Sequence, residues 1–440
     1  MGEVLPPLQW AQRHFGQVQL GDKRRTQRTV TYSAAAARSP SQSIPQQCGG
    51  AWKQTKGAYR LFDANEVSFD SLQGPHRRLT LEEAGRPGVV LWVNDTTTLS
   101  FNHHPQTQGL GPTSSGGWGM LLHSTMAVDV SGGVDQSPFV LGLGHQQLWN
   151  RSTKRNNKSL ESDKWRAGVK GVGTPLPGVR WVHVGDSESD CWEAIESCVE
   201  YGSGFALRAC QNRKVVGGHL PVDPTTADDD CTLLFDLLEQ QPMLGHKKLW
   251  VRGRKDRAAR WATLEVSATA LTLLAPKNWP DKAHRKHRPR PDPLKCWALR
   301  IRQVHAPEGE EPIEWLILTD EPVNNLADAL KVVFRYTCRW LIEEYHKCLK
   351  SGCQVEARQL EEVSRLEALL GILTVVAVRL LQLKTPGESE SRRPRHHRRS
   401  RTICANPGGT PQAAIYENDH ASVLAGNRQT RRIPRPQKRR

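Results

Sequence analysis

The ten cysteines of this 440-residue chain contain no Cys-x2-Cys pair. Their spacing gives neither a dense disulfide framework nor a four-ligand zinc pattern, and a reduced, cytoplasmic setting is the simplest expectation. The opening residues, MGEVLPPLQW, lack the basic-then-apolar layout of a secretory leader. Long apolar runs are missing too. The longest, ALLGILTVVAV at 368–378, has 11 residues against the roughly 20 that a helical membrane span needs. With Glu367 and Arg379 close by, it reads as a buried core helix. There is no internal repeat.

Acidic charge is in short supply. Lys and Arg number 61 against 45 Asp and Glu, a net charge of +16, which points to a polyanionic partner such as nucleic acid or an anionic surface. The excess is uneven: from Thr385 onward 13 basic residues face 4 acidic ones. That segment, 385–440, is rich in Pro, Arg, Gly and Ser without periodicity, so it is expected to be a disordered basic tail. The rest has a globular composition, 37% hydrophobic and 24% charged, and is long enough for two or three domains.

Along the chain, residues 9–78 carry apolar positions three and four apart and predict helices. Arg24, Arg25 and Arg28 cluster there, a pattern that a solvated helix face also shows. From Val89 the pattern turns to strands: GVVLWVND, STMAVDVSGG and SPFVLGLGHQQLW, then VRWVHVGD. A polar helix is expected at 159–168 and another in SESDCWEAIESCVEY. Residues 212–312 read as a further, mostly β, module around a Pro/Arg/His loop, and helices follow at 324–350 and 359–383.

The chemistry begins with two aspartates. Asp95 sits where an apolar strand gives way to three threonines, and Asp186 ends the strand WVHVG. Buried like charges raise each other's pKa unless a cation lies between them, and Mg²⁺ binds through one or two carboxylates plus phosphates. Each aspartate alone reads equally as a cap or turn residue. Asp190, with Glu188 beside it, reads either as a partner that supports Asp186 from behind or as part of a charged helix surface, and the surface is the expectation.

Within YTCRWLIEEYHKCLKSG at 336–352, Tyr336, Arg339, Glu343, Lys347 and Lys350 fall inside an arc of roughly 80° on one helix. A carboxylate among three cations suits either a third metal ligand beside phosphate-binding groups or an intrahelical salt-bridge ladder.

The three acidic positions, the Tyr-x2-Arg-x3-Glu-x6-Lys spacing and the segments LGDKRRTQRTV, GAYRLFD, NDTTTLSF, VGDSESD and EWLILTDEPV resemble the DDE transposases of the insertion-sequence-four family, over about residues 10–384. The resemblance implies an α/β fold: an RNase H-like mixed sheet flanked by helices at 79–384, a β-rich insertion at about 212–312, and a helical N-terminal DNA-binding domain at 1–78. It implies Asp95, Asp186 and Glu343 as catalytic, metal-holding residues with Mg²⁺ or Mn²⁺. Tyr336, Arg339, Lys347, Lys350 and Arg208 would meet DNA, Trp315 would stack on an extruded base, and Arg25 and Arg28 would hold the transposon end.

The implied partners are double-stranded DNA, as terminal inverted repeats and target, and a second copy in a synaptic dimer at the bacterial nucleoid. After Lys384 the sequence lacks the apolar periodicity that the family's dimerisation helices would show, so no counterpart to them is expected in 385–440. A DNA-binding remnant or inhibitor of transposition is therefore the competing expectation, and an unspecific RNase H-like nuclease a third.

Overall fold

The computed structural model describes residues 5–114, 116–151, 161–219, 231–251, 253, 258–276 and 291–391. Its N-terminal part is helical: α1 (Pro7–Phe15), α2 (Lys23–Arg38), α3 (Ile44–Gln47), α4 (Trp52–Phe62) and α5 (Phe69–Ala84). Local chemistry explains the boundaries. Pro7 occupies the first turn of α1, where its missing N–H costs nothing. Asp22 caps α2 by accepting from the Arg24 amide at 2.7 Å. Gly49 and Gly50, at φ 67° and 72°, reverse the chain before α4 in a conformation that side chains avoid.

Twelve strands among the described residues form one sheet: β1 (Gly88–Ser100), β2 (Gly111–Pro112), β3 (Trp118–Asp129), β4 (Phe139–Trp149), β5 (Val179–Gly185), β6 (Gly204–Arg208), β7 (Lys214–Gly217), β8 (Thr232–Leu233), β9 (Met243–Val251), β10 (Arg260–Leu273), β11 (Leu294–Val304) and β12 (Glu314–Thr319). The order is β2-β3-β1-β5-β6-β12-β11-β10-β7-β8, with β4 on β3 and β9 on β10. β1, β5 and β6 run parallel, and the other pairings are antiparallel. The β-rich stretch expected at 212–312 therefore continues the same sheet through β12. Its Pro/Arg/His loop at 277–290 lies outside the described residues.

The other helices are α6 (Asp163–Val172), α7 (Trp192–Glu200), α8 (Leu234–Glu239), α9 (Leu326–Thr337), α10 (Trp340–Lys347) and α11 (Val363–Ser391). The polar helix expected at 159–168 is displaced: α6 starts at Asp163 and runs to Val172, where Gly173 at φ 83° ends it. The helix expected over 324–350 is split between α9 and α10. α11 continues through Pro386 to Ser391, past the end expected at 383. The first residues of the expected disordered tail, 385–391, are instead helical as the end of α11, and the rest of it, 392–440, lies outside the described residues.

Side chains alternate across the central strands, as the pleat requires. Leu91 and Val93 of β1 and Val182 and Val184 of β5 join a core with Leu369, Ile372 and Val376 of α11. Val90, Trp92 and Trp181 pack with Val172 of α6 on the opposite face. Covering both faces explains why β1 reads as an unbroken apolar run rather than an alternation. α11 is long and apolar enough to cross a membrane, and 78% of its apolar window is buried inside the protein. Trp10, Phe15, Tyr32 and Phe62 belong to the same core as α11 and β1. The N-terminal helices thus share the sheet's core, and the expected boundary at 78 falls inside α5.

Candidate active site

The parallel pairing of β1 with β5 runs from Gly88↔Val179 to Val93↔Val184, a constant offset of 91 residues. The same 91 residues separate Asp95 from Asp186. Asp186 keeps extended backbone, φ −80° and ψ −167°, so the two aspartates stand level at neighbouring strands, which lie about 4.8 Å apart. By parity both share the face of Val93 and Val184, the side covered by α11.

Two carboxylates held this way disfavour double ionisation. Burial is the main cause that lifts the Asp95 pKa to about 7; Asp186 and Glu343 add to it, while Arg339 and the Thr96 amide oppose it. That amide donates to Asp95 Oδ1 at 2.7 Å. Asp186 is also raised, first by burial and further by Glu188, against Arg339. The pair wants a cation. In this structure Arg339 serves: its Nη2 lies 2.5 Å from Glu343 Oε1, with both side chains largely buried.

The Tyr-Arg-Glu-Lys residues reach the site from three elements, not one helix face. Tyr336 ends α9, Arg339 caps α10, Glu343 and Lys347 lie on α10, and Lys350 falls in a π-turn at Cys348–Gly352. Cys338 and Arg339 keep right-handed helical dihedrals, so the direction survives the break. Lys347 is exposed. Lys350 Nζ lies 3.9 Å from Glu356, and Glu356 Oε1 accepts from the Ser100 amide at 2.7 Å, linking the end of β1 to the segment after Glu343. His346 Nδ1 stands 3.6 Å from Asp95 Oδ2.

Among the other expected residues, Arg208 ends β6 and donates to the Glu314 carbonyl at 3.2 Å. Trp315, on β12, is 7% exposed with its ring 5.8 Å from that of Tyr336. Stacking on a base would need this ring to leave its packing. Arg25 Nη1 donates to the Leu20 carbonyl at 2.9 Å and pairs with Glu66 at 2.9 Å. Arg28 is exposed and lies over Gly57 of α4. The surface expectation for Asp190 is overturned: its side chain is fully buried and pairs with Arg213 at 2.5 Å. Residues 187–189 form a 3-10 turn that points Asp190 inward before α7 begins, so the helix-surface argument never applied to it.

Sequence reasoning missed two features. Lys164 of α6, almost buried, pairs with Glu188 at 3.0 Å beside Asp186. The second is the outer face of α4. Trp52, Lys53, Lys56, Tyr59 and Arg60 are all exposed, Trp52 to 73%, and at 100° per residue they fall within about 120°. Aromatic rings interleaved with cations suit nucleic acid, and the pattern was legible in WKQTKGAYR.

The donor set of Asp95, Asp186 and Glu343 is all oxygen, the chemistry of a hard divalent cation, and the raised aspartates fit one. Among the described residues no three His, Cys, Asp or Glu side chains are gathered at ligating distance, and Glu343 pairs with Arg339. Residues 7–67, from α1 through α4, match the transposase DNA-binding family. This match supports DNA as the partner of the N-terminal helices.

Proposed function

We propose that the chain is a DDE transposase of the insertion-sequence-four type, cleaving DNA at transposon ends and joining them to target DNA. The observation that carries this reading is the shared offset of 91 residues, which sets Asp95 and Asp186 level with each other and with Arg339 and Glu343 against them. The strand order β4-β3-β1-β5-β6, antiparallel up to β1 and parallel from it, supports an RNase H-like core. Strands β7 to β11 enter between β6 and β12 as its insertion.

Asp95, Asp186 and Glu343 would hold Mg²⁺ or Mn²⁺, which when bound stabilises charge on a phosphodiester and lowers the pKa of water. The chain's own residues do the rest. Glu343 turns from Arg339, whose planar fork then meets a phosphate bidentately. Lys350 and Lys347 add charge along the backbone, and Arg208 holds the strand beside Asp186. The Tyr336 hydroxyl completes that surface, and Trp315 leaves the Tyr336 ring to stack on an extruded base. The N-terminal helices grip the end through α2 and α4, and a second copy completes the synapse.

A second reading, a DNA-binding protein that does not cut, draws on the Arg339–Glu343 pair and the covered Trp315. One experiment separates the two: Mg²⁺-dependent cleavage of a labelled duplex carrying the element's terminal repeat, with Glu343→Ala alongside. End-specific cutting that the variant loses supports the transposase. Binding without cutting selects the second reading, and cutting regardless of sequence an unspecific nuclease.

A further inference from the structure

We propose that Asp190 and Arg213 form a positioning pair that fixes Asp186 relative to Arg208, an inference that rests on the transposase reading for its catalytic consequence. The pair is built to hold geometry. Asp190 Oδ1 accepts from Arg213 Nε at 3.1 Å and Nη2 at 2.5 Å, and Oδ2 accepts from the Cys210 and Gln211 amides at 2.8 Å each. The Asp190 carbonyl accepts from Gln211 Nε2 at 2.6 Å and from Arg213 Nη2 at 2.5 Å. Every acceptor site of the buried carboxylate is used, so it pays no unsatisfied desolvation cost.

The consequence lies one turn upstream. Asp186 caps the 3-10 turn that ends at Asp190: its Oδ1 accepts from the Glu188 amide at 3.0 Å, and its carbonyl from the Ser189 amide at 3.0 Å and hydroxyl at 2.5 Å. Cys210 Sγ donates to the Ser187 carbonyl at 3.2 Å. The turn from 186 to 190 is thus stitched to residues 210–213, immediately after Arg208. β5 and β6 pair through Gly185↔Leu207, so the strands set one side of this unit and the buried pair sets the other. Neither residue reaches the reacting phosphate; both act through the placement of Asp186.

The test uses the full chain with Arg213→Lys, which keeps a cation against Asp190 but loses the fork, and with Asp190→Asn. Three measurements apply: steady-state cleavage of the end duplex, calorimetric Mn²⁺ binding, and hydrogen exchange at the Glu188 and Ser189 amides. We expect kcat to fall roughly 10–100-fold at unchanged KM for DNA, Mn²⁺ affinity to fall by a similar factor, and both amides to exchange faster. A folded Arg213→Lys protein with wild-type kcat, Mn²⁺ affinity and exchange overturns the proposal. If Asp190→Asn does not fold, Arg213→Lys decides alone. If the wild-type chain does not cut, the transposase reading fails, and exchange decides the pair's role: faster exchange supports it, unchanged exchange overturns it.

Discussion

His76 of α5 donates through Nδ1 to Nδ1 of His14 on α1 at 3.0 Å. The direction follows from its other nitrogen, since Nε2 accepts from the Leu143 amide at 3.1 Å and so carries no proton. This buried, neutral pair joins the N-terminal helices to β4. Protonating His76 would break the bond to β4.

Acid should therefore destabilise the protein. Burial, then Arg13 and Arg379, lowers His14 to about 4; burial, then His14 and Arg77, holds His76 well below its usual value. Burial also lowers His145 to about 4 and His183 and His346 to about 3, and depresses His123. These groups stay neutral when folded while the unfolded chain takes up protons below about pH 6.5. Stability is therefore lost as pH falls from about 6.5 toward 4, by about 1.4 kcal/mol per pH unit for each. Asp95, raised to about 7, acts in the opposite sense between about pH 4 and 7, and the raised Asp186 adds to it, but six histidines outweigh them. The urea midpoint should be lower at pH 5 than at pH 7.5; an equal or higher midpoint would falsify this.

Asp95→Asn removes one of the level carboxylates without changing side-chain size. Cleavage should fall by roughly a thousandfold or more, the equivalent of several kcal/mol of transition-state stabilisation, while affinity for the end duplex stays within about twofold. Cleavage within tenfold of wild type would remove Asp95 from the reaction centre.

Lys56→Ala and Arg60→Ala test the outer face of α4. Each should weaken duplex binding, and the slope of log affinity against log salt should shrink by about one for each phosphate that the protein no longer neutralises. An unchanged slope in both variants would move the DNA off α4.

Arg358 donates to the carbonyls of Gln42, Pro40 and Cys353 and so clips the loop after α2 to the segment after Glu343. Arg358→Met strands three carbonyls and should cost on the order of 3 kcal/mol. A denaturation midpoint equal to wild type would show that water replaces the guanidinium freely.

Gly144→Ala probes the sheet itself. A Cβ there would lie 2.4 Å from Trp92 Cζ3 and 2.8 Å from Val172 Cγ1, among fully buried side chains. Overpacking of this kind costs roughly 1–3 kcal/mol. A variant as stable as wild type would mean that β4 can shift away from Trp92.

Much of the central sheet was legible because burial on both faces writes an apolar run into β1 and β5, and a carboxylate ending each run stands out. The equality of the register offset with the Asp95–Asp186 separation was not legible, since parallel pairing is set by the crossover rather than by either strand. Asp190 was misplaced because its partner lies 23 residues away and a short turn precedes α7. The break between Tyr336 and Glu343 was hidden because Cys338 and Arg339 remain helical in φ and ψ. The shared core of the N-terminal helices was invisible, because an apolar helix face does not announce which neighbour will cover it.

The clip by Arg358 and the histidine pair to β4 have a metric consequence. With the loop after α2 tied to the segment after Glu343, and α1 and α5 tied to β4, a duplex that the proposed transposase gripped by its N-terminal helices and cut at Asp95 would be measured against a ruler made of protein. On that reading the number of base pairs between grip and cut would be a property of the fold, and slack introduced at Arg358 or His76 should appear as scatter in the cleavage position.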